Sequence, residues 1–169
     1  MKNVIIQLII TVLTFVTAGP VTGEQMAKAG TELLTAMYSG TSSVMAQDED
    51  HFVVTYQNKG ALVSDTWKGP FHNMSLYSVG MIYFENGVGK LKGFITLTDP
   101  DGDKVLLEIW EDKTKAAPSV NRGNGKCIHG TGKFSGIKGN MEYERWYVQP
   151  ATEDTYQEIS KSKINWKLP

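Results

Sequence analysis

Ser75-Leu76-Tyr77-Ser78-Val79-Gly80-Met81-Ile82-Tyr83-Phe84-Glu85-Asn86-Gly87-Val88-Gly89-Lys90-Leu91-Lys92-Gly93-Phe94-Ile95-Thr96-Leu97-Thr98 reads as two strands joined by one tight turn. Asn-Gly between alternating apolar residues favours a two-residue type I′ turn, which needs positive φ at both positions. A turn at Asn86-Gly87 opposes Glu85 to Val88, Ile82 to Leu91, Gly80 to Gly93 and Ser78 to Ile95. The next turn is Asp99-Pro100-Asp101-Gly102-Asp103, a three-residue loop with Pro first and Gly in the left-handed position. It opposes Leu97 to Val105, Ile95 to Leu107 and Gly93 to Ile109.

These registers sort the side chains onto two faces. Leu76, Ser78, Gly80, Ile82, Leu91, Gly93, Ile95, Leu97, Val105, Leu107 and Ile109 share one, which carries no charge. The other carries Lys90, Lys92 and Glu108 among Tyr77, Met81, Tyr83, Phe94 and Trp110. Burying an unpaired charge is costly, so the uncharged face is expected inside. A slip of one residue would mix Lys92 and Glu108 into it. Gly80 and Gly93 then face each other in the interior, leaving room for a bend, close packing or a bound molecule. The aromatic stripe outside is the expected contact for a second copy of the chain.

The same pattern of short β-rich runs between turn clusters extends along the chain. Strands are expected near 29–39, 51–58, 75–85, 89–98, 103–111, 125–130, 139–149 and 155–167. The first also fits a helical period through Met26, Gly30, Leu33, Leu34 and Met37. Eight strands on short connections make an all-β, eight-stranded antiparallel up-and-down β-barrel, since closure removes exposed edges.

The chain has 169 residues, with 17 basic against 18 acidic side chains and 41% hydrophobic residues. That fits a single domain and, at a pI near 6.3, argues against a nucleic-acid partner. Residues 1–23 read as a signal peptide: Lys2, an apolar run from Val4 to Val16, then small residues at Ala18, Gly19 and Gly23. The run is shorter than the ~20 residues a membrane-spanning helix needs, so no stable membrane insertion is expected after its removal. Residues 24–169 form the β-barrel domain, expected to be secreted or periplasmic.

Cys127 is the one cysteine, so no internal disulfide supports the fold. It reads as a buried thiol; on a regular strand His129 would share its face, which keeps a Cys/His pair open. Asp99, Asp101 and Asp103 do not make an EF-hand, because Lys104 and Trp110 stand where Gly and Glu are required. His51, His72 and His129 lack metal-ligand spacing, so no metal and no cofactor is expected.

Gly130-Thr131-Gly132-Lys133-Phe134-Ser135-Gly136-Ile137-Lys138-Gly139, followed by Asn140-Met141-Glu142-Tyr143, resembles the glycine run of the allene oxide cyclase and dirigent barrel-like superfamily. More closely it resembles the small exported bacterial proteins of that barrel type, whose function is mostly undefined. Gly69-Pro70-Phe71-His72-Asn73-Met74-Ser75 and Asp101-Gly102-Asp103-Lys104-Val105 also fit, and the resemblance spans roughly 28–149. It implies an eight-stranded barrel with a hydrophobic lumen, often oligomeric. The family's catalytic residues do not map onto this chain, so none is assigned a catalytic role. Read on their own, the glycines allow a sharp turn, and Phe134 and Ile137, three apart, fit a helical turn plugging a barrel end.

The expected function is binding of a small apolar or amphipathic ligand in the lumen. The alternatives are an isomerase or cyclase of the allene oxide cyclase or dirigent type, or a filled-core structural protein. The candidate ligand-binding residues are His72, Asn73 and Ser78 at one barrel mouth, Tyr143 on the wall, and Glu111 with Arg145 as an ion pair at the rim. In an aliphatic lumen such groups are the handles that would orient a ligand, and the ion pair could receive a carboxylate.

Overall fold

A computed structural model describes residues 26–46, 48–116, 119–150 and 152–169. The expected signal peptide and its cleavage sites lie outside the described residues.

Eight antiparallel strands run in chain order: β1 (Ala29–Ala46), β2 (His51–Ser64), β3 (Met74–Glu85), β4 (Val88–Thr98), β5 (Lys104–Thr114), β6 (Val120–Gly130), β7 (Lys138–Val148) and β8 (Tyr156–Lys167). Each pairs with the next, and β8 returns to β1 to close the barrel. β1 is a strand rather than a helix. β1 runs on past residue 39 by pairing Gly40–Ala46 with Asn58–Phe52, and β2 runs on past residue 58 by pairing Lys59–Ser64 with Ser39–Leu34.

Both hairpins fold in the expected register. Asn86 and Gly87 have φ of 52° and 75°, as a type I′ turn requires. Glu85 opposes Val88, Gly80 opposes Gly93, and Ile95 opposes Leu107. Gly102 takes φ of 91°, and the Asp99 carboxylate accepts the backbone N–H groups of Asp101 and Asp103, each at 2.9 Å. Lys92 stays outside with Glu108 at 3.8 Å, while Leu107 is buried. Ile95 is half-buried rather than sealed, because it borders a small void in the lumen.

One end of the barrel is plugged. The glycine run folds into a 3₁₀ turn, Gly132–Phe134, and brings Phe134 and Ile137 inward as expected. Phe134 packs 5.8 Å from Phe71, whose ring lies 6.2 Å from that of Trp166. Lys133 ties the turn to Asp99 and Asp101 on the β4–β5 hairpin, so the acidic tip is a latch for the plug.

Two bulges change which residues face inward. Leu106 opposes His129 but Leu107 opposes Cys127, so the extra residue, Ile128, breaks the alternation. Cys127 is buried while Ile128 and His129 are exposed. The Cys/His pair is thereby removed, because a bulge sends residues two apart to opposite faces. Burial pushes the Cys127 thiol up to about 11, so it is not a thiolate at neutral pH. The second bulge lies opposite Gly89 and Leu91, and it leaves both Glu111 and Thr114 facing the interior.

Candidate functional site

β5 and β7 each carry one charged residue on the inward face, Glu111 and Arg145, and β8 adds Glu158. All three are buried; Glu111 is 1% exposed, so the ion pair stands in the lumen and not at the rim where the sequence placed it. The pairing is bidentate. Arg145 Nε donates to Glu111 Oε1 at 2.6 Å and Nη2 donates to Oε2 at 3.0 Å. Nη1 donates to Glu158 Oε1 and, at 3.3 Å, to the Tyr147 hydroxyl. Glu111 also accepts from Tyr143 at 3.1 Å and from Thr114 at 2.6 Å. Buried charge is tolerable where each oxygen and proton has a partner, and this cluster meets that condition for Glu111.

The electrostatics follow from two carboxylates on one guanidinium. Burial pulls Arg145 down, but Glu111 and Glu158 outweigh it and hold the guanidinium charged beyond its ordinary range. Burial raises the Glu158 carboxyl despite Arg145 and Tyr38 beside it. Burial, then the Glu158 charge, also raises the hydroxyls of Tyr38 and Tyr156, so both are neutral donors. The tyrosine hydroxyl of residue 156 donates to Asn58 Oδ1.

Above this layer, in the half of the barrel away from the plug, lies a cavity of about 270 Å³. Phe52, Val54, Ile82, Phe84 and Leu91 form its apolar wall, with Phe52 stacked on Phe84 at 4.8 Å. Tyr38, Tyr56, Tyr147 and Tyr156 form the rest, and Asn58, Arg145 and Glu158 lie at its base. Beneath the polar layer the lumen is almost full. A void of about 50 Å³ remains among Leu34, Leu76, Ser78, Ile95, Leu107 and Tyr143.

The structure therefore brings together Glu111, Tyr143 and Arg145, sets Ser78 beside Tyr143 at the lower void, and separates them from His72 and Asn73. Ser78 is buried on the inner face beside the lower void. His72 and Asn73 lie in the β2–β3 connection at the plugged end and line neither cavity. His72 packs edge-on to Trp67 at 5.5 Å, and Asn73 is exposed with φ of 60° as a turn residue. That mouth is sealed by Phe71, Phe134 and Trp166, so a lumen ligand has no place there. The paired glycines are also occupied. A Cβ on Gly80 or Gly93 would collide with the Tyr56 hydroxyl, which fills the gap they leave. Gly123 plays the same part for Tyr143.

Sequence reasoning missed Tyr38, Tyr56, Asn58, Tyr147, Tyr156 and Glu158. A signal for Glu158 was present. Lys161, Lys163 and Lys167 share one face of β8, which marks it as outer and turns Tyr156, Glu158, Ser160 and Ser162 inward. No group of three or more metal-ligating side chains lies together among the described residues. The expected outer stripe is present: Tyr77, Met81, Tyr83 and Phe94 are exposed, while Trp110 is half-buried.

The chain is thus a closed eight-stranded up-and-down barrel, plugged at one end, with a buried ion-pair layer flooring a cavity at the other. No protein-family model matches its sequence, and no curated protein matches it. Among solved structures it is similar to two pterocarpan synthase dirigent proteins, the kind of barrel its glycine run resembles. One is 10% identical with a TM-score of 0.49, over 93% of this chain and 100% of that one. The other is 9% identical with a TM-score of 0.48, over 85% of this chain and 99% of that one. Likenesses this remote carry nothing about chemistry.

Proposed function

We propose that the barrel is an exported protein that binds a small amphipathic molecule in the cavity above the ion-pair layer. The observation that carries this reading is the division of the lumen: tightly filled below Glu111, Tyr143 and Arg145, and open above them. An eight-stranded barrel is just wide enough for side chains to fill it, and here they do so over only half its height. The cavity has the make-up of a small-molecule site, with an apolar wall and a few convergent polar groups. At about 270 Å³ it suits a small ligand. The apolar body would lie against Phe52 and Phe84, with its polar end toward Tyr156 and Glu158.

The neutral fluorophore N-phenyl-1-naphthylamine tests this. It should bind the purified protein with enhanced emission. Val54→Trp, which places an indole in the cavity, should abolish that binding while the far-ultraviolet circular dichroism stays unchanged. Equal binding by a folded Val54→Trp protein would move the site out of the lumen. Mass spectrometry of the protein purified from its host then identifies the natural occupant.

A second reading is an isomerase or cyclase. Burial raises the Glu158 carboxyl above the usual carboxylate range, so it holds a proton more readily than an exposed glutamate, and the neutral Tyr38 hydroxyl stands beside it. Such a pair suits proton transfer to a confined substrate. Turnover of a bound molecule, lost in Glu158→Gln, separates this reading from binding alone.

A further inference from the structure

The charge balance of the polar layer narrows the class of ligand. Glu111 and Glu158 supply two carboxylates, and Arg145 supplies one guanidinium. Four of the five guanidinium N–H groups already donate within the cluster, to Glu111, Glu158 and Tyr147. Arg145 therefore has little left to offer an anion. This reverses the expectation that the pair would receive a carboxylate: the base of the cavity has an excess of acceptor oxygens and an unbalanced negative charge. Among the described residues Arg145 reaches only one Glu158 oxygen, and Glu158 itself lines the cavity. No lysine lines it.

The wall has a matching character. Tyr38, Phe52, Tyr56, Phe84, Tyr147 and Tyr156 surround the space above Glu158. Rings present a negative face that attracts a cation, and an aromatic box with a carboxylate at its base is a known way to hold an ammonium group. The cluster already shows the interaction once, since the Arg145 guanidinium lies 5.6 Å from the centre of the Tyr147 ring.

We infer that the lumen site selects a small cationic amphiphile, a protonated amine on an aryl or alkyl body, with its ammonium group between Glu158 and the tyrosine rings. This rests on the lumen-binding reading above and adds the sign of the ligand's charge. An anionic ligand of the same shape would meet Glu158 with no free cation among the described residues to offset it. A neutral alcohol would find acceptors but no charge to pair.

Three probes of one shape separate the cases: phenethylamine, phenethyl alcohol and phenylacetate, each titrated by calorimetry at neutral pH into the purified protein. The amine should bind about tenfold tighter than the alcohol, and phenylacetate should bind weakest. In Glu158→Gln the amine should lose that advantage, so that amine and alcohol bind alike. Equal or tighter binding of phenylacetate by the wild-type protein would overturn the inference while leaving lumen binding intact. So would an amine preference that survives in a folded Glu158→Gln protein. Failure of all three probes to bind, together with failure of N-phenyl-1-naphthylamine, would overturn the lumen reading itself. The ranking on the wild-type protein decides the sign of the charge even if the variant does not fold.

Discussion

Glu111 and Lys92 sit on neighbouring strands, and their environments set opposite mutational costs. Glu111 is buried and holds Arg145 through two hydrogen bonds, so Glu111→Ala leaves a buried guanidinium half-paired. It should cost about 3–5 kcal/mol in urea melts. Lys92 is 77% exposed, and Lys92→Ala should stay within ~0.5 kcal/mol in the same melts. Glu158 adds a dependence on pH. Its carboxyl is raised above 4.5, chiefly by burial, so the folded state binds that proton more tightly than the unfolded chain does. Stability from this group is full below the unfolded-state value and is lost as pH rises through the higher folded-state value. Urea melts at a series of pH values should show this fall in the wild-type protein, and Glu158→Gln should flatten it. An identical slope in both proteins would mean that Glu158 is not the group responsible. The Glu111–Arg145 pairing was legible in the sequence because both lie in phase with an inward face. Their depth was not, since nothing in a linear pattern says how high in the barrel a residue stands.

The strands show how a local rule and a distant neighbour share one position. Gly80 and Gly93 face each other as the Asn86-Gly87 turn requires, but the gap between them belongs to Tyr56 on β2. Tyr56 opposes Gly80 in the β2–β3 register, and burial lifts its hydroxyl to about 12. Gly93→Ala should therefore cost about 1–3 kcal/mol through overpacking against that hydroxyl. On a Tyr56→Phe background the same change should cost less, since the closest colliding atom is gone. A double-mutant cycle by denaturant melts reads the coupling directly, and additive costs would mean that Tyr56 does not fill the gap. The turn and its register were legible because Asn-Gly sets backbone conformation locally. The filling of the glycines was not, because β2 is joined to β3 by a connection that carries no register signal of its own. The bulge at Ile128 was hidden for a related reason: strict alternation is the default reading, and the extra residue is visible only once β5 is paired beside it.

At the scale of the whole barrel the two ends do different work. Phe71, Phe134 and Trp166 seal one end, and the aromatic cavity occupies the half toward the other. Phe134→Ala should lower stability by about 3–5 kcal/mol yet leave N-phenyl-1-naphthylamine affinity unchanged, as judged by melts and fluorescence titration together. Loss of affinity in a folded Phe134→Ala protein would mean that the two ends are coupled. The sequence by itself determined the all-β class, the two hairpin registers, the uncharged inner face and the inward turn of the glycine run. Each of these follows from neighbours close in the chain: turn residues that need positive φ, side chains alternating every second residue, and charges that stay in water. Only the tertiary structure decided which mouth is open, that Glu158 joins Glu111 and Arg145, and that the glycines house Tyr56 rather than a ligand. Tyr56 reaches the glycines through the β2–β3 pairing, and the polar layer is completed by closing β8 onto β1, which brings Tyr38 and Glu158 to one height from opposite ends of the chain. Closure is a property of all eight strands at once, and no local stretch of sequence carries it.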